Sequence, residues 1–164
     1  MVPGRVQKGK NMEDQAIIRQ EEQTLGISAA TFANVFTTAN LANKAGKNSV
    51  LRALNDAESL AESVPDGSVL EVVDFVVTPG VRRSRMQGVP DAECLNVYIL
   101  TADGRAFMTQ SDGIARSVQQ IMALYSVNGV PESPRNLEGG CLRLMVKGRK
   151  LPNGNTLKTL VPVD

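Results

Sequence analysis

Basic side chains form two groups that lie far apart in the sequence. In chain order they are Arg82, Arg83 and Arg85, then Lys147, Arg149, Lys150 and Lys158. Guanidinium and ammonium groups pair with phosphate oxygens, and proteins that hold single strands of nucleic acid need such a basic track along the backbone. The chemistry that these residues favour is therefore phosphate binding.

Each basic group also has an ordinary interpretation. The first lies in a stretch with Gly80, Gly88 and Pro90 that is partly neutralised by Asp91 and Glu93, as a solvated loop would be. Lysine on a hairpin can simply protect a sheet edge from pairing with other chains. The total charge does not decide the matter, since 18 Lys and Arg face 17 Asp and Glu. Only the distribution of charge is informative: residues 141–163 hold five basic residues and no carboxylate.

Aromatic residues supply a second candidate contact. The alternation around Tyr98 predicts that its ring projects from the outer face of a strand, and Phe107 with Arg105 can share that face on the next strand. Bases stack on aromatic rings at roughly 1–3 kcal/mol each. The alternative is that these rings are core residues, the assignment that we give to Phe75 and Tyr125.

The composition excludes several kinds of enzyme. The chain has no histidine, so it cannot build Ser-His or Cys-His nucleophilic sites, and it lacks the ligands for structural zinc. Carboxylate-bound magnesium stays open, but no pair of acids has a motif spacing, and no glycine motif indicates a cofactor. The absence of a secretory signal favours free thiols at Cys94 and Cys141 in a reducing cytoplasm. We therefore expect a protein that is not an enzyme and needs no cofactor or metal.

The elements that must position these residues follow one another in an informative order. The predicted strands cover residues 69–78, 95–101, 105–109, 142–146 and 157–161, and a helix capped by Ser111 lies between the third and the fourth. Asp103-Gly104 favours a tight turn between strands two and three. This order predicts a mainly β fold, a five-stranded OB-like barrel, with Leu157, Thr159 and Val161 facing inward on the last strand. Both basic groups then fall on the loops that bind oligonucleotides in OB folds.

The apolar spacing and cap residues before residue 68 predict a partly helical extension. Residues 1–24 are interpreted as a flexible arm, 25–67 as the extension and 68–164 as the OB-fold domain. Within the extension, a short helix is expected after Ser28 and a second helix is expected to be capped by Ser49. Its apolar residues allow self-association through residues 25–64.

Two segments resemble a known family. Residues 94–117, CLNVYILTADGRAFMTQSDGIARS, and residues 153–160, NGNTLKTL, are similar to the small single-stranded DNA-binding proteins of tailed bacteriophages, and a looser similarity runs through residues 50–83. The resemblance implies an OB-fold protein that coats and protects single strands during phage DNA replication, without reading sequence, in the cytoplasm of the bacterial host. It also implies replication proteins as possible partners and no membrane. The preference for DNA over RNA rests wholly on it.

On this hypothesis, the basic groups neutralise phosphates and the rings stack on bases. The predicted nucleic-acid-binding residues are Arg82, Arg83, Arg85, Tyr98, Arg105, Phe107, Lys147, Arg149, Lys150 and Lys158. Because a fold does not fix a function, the competing hypothesis is a non-catalytic protein-interaction or virion-assembly module on a small β-barrel.

Overall fold

The computed structural model of the protein describes residues 35–164, so the predicted arm and the predicted helix after Ser28 lie outside the described residues. The strands are β1 (Phe36–Thr37), β2 (Glu58–Ser59), β3 (Val69–Arg82), β4 (Ala92–Thr101), β5 (Ala106–Thr109), β6 (Ser126–Val127), β7 (Val130–Pro131), β8 (Leu142–Lys150) and β9 (Thr156–Pro162). The helices are α1 (Lys44–Asp56), α2 (Leu60–Ser63) and α3 (Asp112–Leu124), with a 3-10 turn at Pro134–Asn136.

One curled, mixed sheet forms a half-barrel and dominates the fold. Its strand order is β2-β5-β4-β3-β8-β9, β1 also pairs with β3, and β2 runs parallel to β5. The long strand β3 pairs with two neighbours. Its residues Val69–Val72 pair with β8, and Val72–Arg82 pair with β4. The register shifts between Val72 and Asp74, and a bulge of this kind bends a strand and increases its twist. The mainly β prediction is confirmed.

The main core lies between one face of the sheet and α3. Its members with no exposed surface are Val72, Phe75, Val97, Ile99, Ile114, Val118, Leu144 and Val146. On β9, however, the residue that joins them is Leu160, which is opposite Val146. The inward set predicted for this strand, Leu157, Thr159 and Val161, was therefore wrong. Directly opposed residues of an antiparallel pair share a face, and β9 has apolar residues on both faces.

Helix α3 packs on this core and covers the outer edge of β9. Ser111 Oγ accepts from the Ile114 N–H at 3.2 Å, as the predicted cap requires. Ser117 Oγ accepts from the backbone N–H of Leu160 at 3.1 Å, so the helix satisfies a donor on the strand edge. Tyr125, predicted as core, ends the helix with 40% of its surface exposed, and that prediction was wrong.

Helix α1 contacts β4 and β5 and begins earlier than predicted. Asn43, not Ser49, is its N-cap, and Asn43 Oδ1 accepts from the Gly46 N–H at 2.7 Å. Gly46 lies inside the helix, where a Cβ would overlap the backbone of Asn40. Val50 is buried on this helix.

Buried Asp74 joins three segments of the fold. Its carboxylate, 2% exposed, accepts from Thr38 Oγ1 at 2.9 Å, from Ser133 Oγ at 2.7 Å and from Arg135 Nε at 2.8 Å. The compact unit that contains these contacts runs from Thr37 to Asp164, and Leu60 and Val64 also lie in its core. Residues 37–67 are thus packed against the sheet. Within residues 35–164, no helix has the length and apolar content needed to cross a membrane.

Candidate nucleic-acid interface

The first basic segment is the loop between β3 and β4, residues 83–91, which we call the β3–β4 loop. Arg83 and Arg85 are exposed on it. Arg82, the last residue of β3, is half-buried instead, and its Nη2 donates to Asp112 Oδ1 at 3.2 Å and to the carbonyl of Gln110. The hydrogen bond with Asp112 raises the pKa of Arg82. Arg82 is therefore held at the start of α3, and the cations beyond it face solvent.

The second basic segment is the β8–β9 hairpin. Lys147, Arg149 and Lys150 are exposed, and Lys147 and Arg149 lie on the outer face because Val146 points into the core. Lys158 lies opposite Gly148 on β9 and donates to Asp66 Oδ1 at 2.9 Å. The hairpin thus presents three exposed cations and one paired cation.

The N-terminus of α3 contacts the end of β3, which leads into the first basic segment, and β9 of the second. Asp112 receives the hydrogen bond from Arg82, and the next residue, Gly113, lies so close to β9 that a Cβ there would overlap the carbonyl oxygen of Lys158. The end of β3 and the start of β9 therefore border the same helix terminus, although they are distant in sequence. Glycine at position 113 is what permits the close approach.

The two predicted stacking rings do not lie on a common exposed face. Phe107 is opposite Ile99, so it points into the core and is 2% exposed. Tyr98 is opposite Met108 on the other face of the sheet and is 9% exposed. The prediction that Tyr98 and Phe107 share an open face was wrong, because the strand register sets opposed residues on the same side. Neither ring is available to a base in this structure.

Arg105 is occupied by partners within the protein. Its guanidinium carbon lies 4.8 Å from the centroid of the Phe107 ring, which agrees with the prediction that these two residues share a face. Its Nε and Nη2 donate to the two carboxylate oxygens of Glu58 at 3.0 and 2.8 Å. This hydrogen bonding lowers the pKa of Glu58 and raises that of Arg105. Arg105 therefore covers a core ring and is not an open phosphate contact.

Sequence reasoning missed the exposed apolar residues beside the first basic segment. Val81 is exposed near the end of β3, and Met86 and Val89 are 69% and 47% exposed on the β3–β4 loop. Three apolar residues in a stretch rich in arginine, glycine and proline are the signal that could have identified them.

A cleft of about 490 Å³ lies between α1 and the turn from β4 to β5. Arg52, Arg105 and Arg135 line it together with Asp56 and Glu58. Because Arg105 is bound to Glu58 and Arg135 to the buried Asp74, the carboxylates offset the arginines. This cleft does not favour an anionic ligand in the way that the two exposed basic segments do.

No protein-family model matches this chain, and no significant match was found among curated proteins or among solved structures. Across residues 35–164, no group of three or more His, Cys, Asp or Glu residues is arranged to hold a metal ion. Cys94 and Cys141 are both free thiols and are half-buried.

Proposed function

We propose that the protein binds single-stranded DNA without sequence specificity and coats and protects it during phage DNA replication. The observation that carries the proposal is the shared border at the N-terminus of α3, where Arg82 at the end of β3 and the backbone of Lys158 on β9 meet Asp112 and Gly113. Each basic segment begins within a few residues of this border. A strand that crosses it would meet cations from both.

The strand order supports an OB-type barrel for this function. In sequence order, β3, β4, β5, β8 and β9 follow the five strands of that fold, with α3 between the third and the fourth. Strand β3 pairs with both β4 and β8, as the shared first strand of such a barrel would. Strand β5 pairs with β2 at its outer edge, and α3 covers the edge of β9. In OB folds the loops after the first strand and between the last two strands flank the ligand.

Five exposed cations would supply the phosphate contacts. Arg83, Arg85, Lys147, Arg149 and Lys150 make no ion pair with another residue in the range 35–164, unlike Arg82, Arg105 and Lys158. Each phosphate that such a group neutralises releases a condensed counterion. With five contacts, the logarithm of the binding constant should fall with the logarithm of salt concentration at a slope of roughly −3.5.

The same contacts explain why the proposed binding would not depend on the base sequence. Phosphates are identical at every nucleotide, so affinity that rests on them does not depend on the bases. The burial of Tyr98 and Phe107 removes the two rings first expected to stack. The remaining contacts, which are with phosphates, suit a protein that coats a strand of any sequence.

A titration of a fluorescent oligo-dT tests the proposal. Binding at about 50 mM salt that weakens strongly by about 200 mM is the expected result. A mixed-sequence strand should bind with similar affinity, and an RNA strand of the same length tests the preference for DNA. Failure to bind any strand at the lower salt concentration would overturn the proposed function.

The interaction or virion-assembly module remains the second candidate, and one surface favours it. At the end of α3 and on the β6–β7 hairpin, Leu124, Tyr125, Val127 and Val130 are exposed together. Apolar patches of this kind often mark protein contacts. Light scattering with and without oligo-dT separates the candidates: assembly that is independent of the strand, without retardation of DNA, would favour the module. The same light-scattering measurement tests self-association through residues 25–64.

A further inference from the structure

We propose that the β3–β4 loop contacts bases as well as phosphates, through the side chains of Met86 and Val89. This inference rests on the proposed function and extends it, since it names the part of the nucleic acid that the loop recognises. Arg83 and Arg85 would hold the backbone, and the two apolar side chains would pack against the faces of the bases.

The loop is built by its own hydrogen bonds. The Ser84 N–H donates to Asp91 Oδ1 at 2.8 Å, which ties its two ends together. The Met86 N–H donates to Ser84 Oγ at 3.1 Å, and the Val89 N–H donates to the Met86 carbonyl at 3.2 Å, closing a turn. Gly88 adopts a φ of 83° in that turn, a value that favours glycine. The positions of Met86 and Val89 are therefore fixed by the loop and not by burial.

Both side chains have exposed apolar surface that a base could contact. Single exposed apolar residues are common on proteins. Here Met86, 69% exposed, and Val89, 47% exposed, belong to the same short loop as the exposed Arg83 and Arg85. The thioether of methionine is flexible and polarisable, so it can pack on any of the four bases. Apolar contact of this kind adds affinity without adding sequence preference.

The other exposed apolar residues make a matched control. Leu124 and Val127 are also exposed, but Leu124 is the last residue of α3 and Val127 lies three residues beyond it. Leu124 is twelve residues beyond Asp112, which is about 18 Å along a helix. Replacing this pair removes similar apolar surface at a distance from the shared border.

The experiment compares an oligo-dT with an abasic strand of the same length, which keeps the phosphates and lacks the bases. Wild-type protein should bind the dT strand about three- to tenfold more tightly than the abasic strand. The double variant Met86→Ser, Val89→Ser should bind both strands with nearly equal affinity, and its salt slope should be unchanged because no cation is lost. The control variant Leu124→Ser, Val127→Ser should keep the wild-type preference.

The outcomes separate this inference from the proposed function. If wild-type protein binds dT and the Met86→Ser, Val89→Ser variant keeps the full preference for dT over the abasic strand, the base contact is overturned and strand binding stands. If wild-type protein binds neither strand, the proposed function fails, and this inference fails with it. Because both side chains are exposed, circular dichroism and thermal unfolding should show a folded variant.

Discussion

Arg82 and Asp112 form an ion pair at 3.2 Å that joins the end of β3 to the first residue of α3, across thirty positions of the chain. In the proposed binding of a DNA strand, this pair would have two opposing effects. It keeps one cation near the N-terminus of α3, and it sets a carboxylate beside that cation, where it would repel phosphate.

Removal of this negative charge should strengthen binding. In the variant Asp112→Asn, the amide oxygen can still accept from Arg82, and the repulsion of phosphate is lost. We expect about two- to fivefold tighter binding of oligo-dT at low salt, since one charge at close range contributes about 1 kcal/mol in water. Stability should change by less than about 1 kcal/mol, because both side chains are largely exposed.

Asp56→Asn is the control for that measurement. Asp56 is also an exposed carboxylate, but it ends α1 and lies away from the N-terminus of α3. Equal effects of the two substitutions would mean that general charge, and not the position of Asp112, governs the affinity.

The β8–β9 hairpin should contribute a measurable share of the salt dependence. The triple variant Lys147→Gln, Arg149→Gln, Lys150→Gln removes three exposed cations, so the slope of log affinity against log salt should fall in magnitude by about 2. Fluorescence titrations of oligo-dT at several salt concentrations measure this slope.

A control variant removes three exposed cations from α1, the same number as the hairpin variant removes. Lys44→Gln, Lys47→Gln, Arg52→Gln alters the net charge of the protein by the same amount, away from the hairpin. It should leave the slope nearly unchanged. A hairpin variant with the wild-type slope would remove the β8–β9 hairpin from the interface.

Much of the sheet could be predicted from the sequence because local signals agreed with the tertiary fold. Strand β3 is almost continuously apolar and β-branched, and the turn at Asp103-Gly104 forms with Gly104 at a φ of 87°. For α3, the helical spacing and the Ser111 cap both pointed to the observed start. The start of α1 was missed because Asn43 and Ser49 are both good cap residues. In the structure Asn43 accepts from the Gly46 N–H as the N-cap, and Ser49 lies inside the helix.

The placement of the rings could not be predicted, because it depends on the strand register. Alternation correctly separated Tyr98 from its neighbours Val97 and Ile99, but it did not show which residue of β5 lies opposite each of them. The face of Tyr98 is also buried, along with Val76 beside it on β3, so the outer face is not open at this point. The exposed basic segments were predicted, but the first and fourth strands run further than predicted. Arg82 therefore lies on β3, and Lys147, Arg149 and Lys150 lie on β8 and not in loops.

Phe107 should act as a core residue. Its ring is buried in the main cluster, so Phe107→Ala should lower the free energy of unfolding by about 3–5 kcal/mol. Urea unfolding measures the loss. Phe107→Leu, which keeps most of the apolar volume, should fold and bind oligo-dT as the wild type does. A folded Phe107→Leu protein with greatly reduced DNA affinity would instead make the ring a direct contact.

Asp74 should be the carboxylate on which stability depends most. Its side chain is 2% exposed and accepts from Thr38, Ser133 and Arg135, so Asp74→Asn leaves the Arg135 guanidinium without its charged partner and turns one acceptor into a donor. Because the remaining Arg135 side chain is 52% exposed, we expect the loss to be about 1–3 kcal/mol, the cost of leaving buried hydrogen-bonding groups without a proper partner. Asp66→Asn, which affects the more exposed pair with Lys158, should cost less than about 1 kcal/mol. Urea unfolding of the two variants tests the difference, and equal losses would contradict the anchoring role of Asp74.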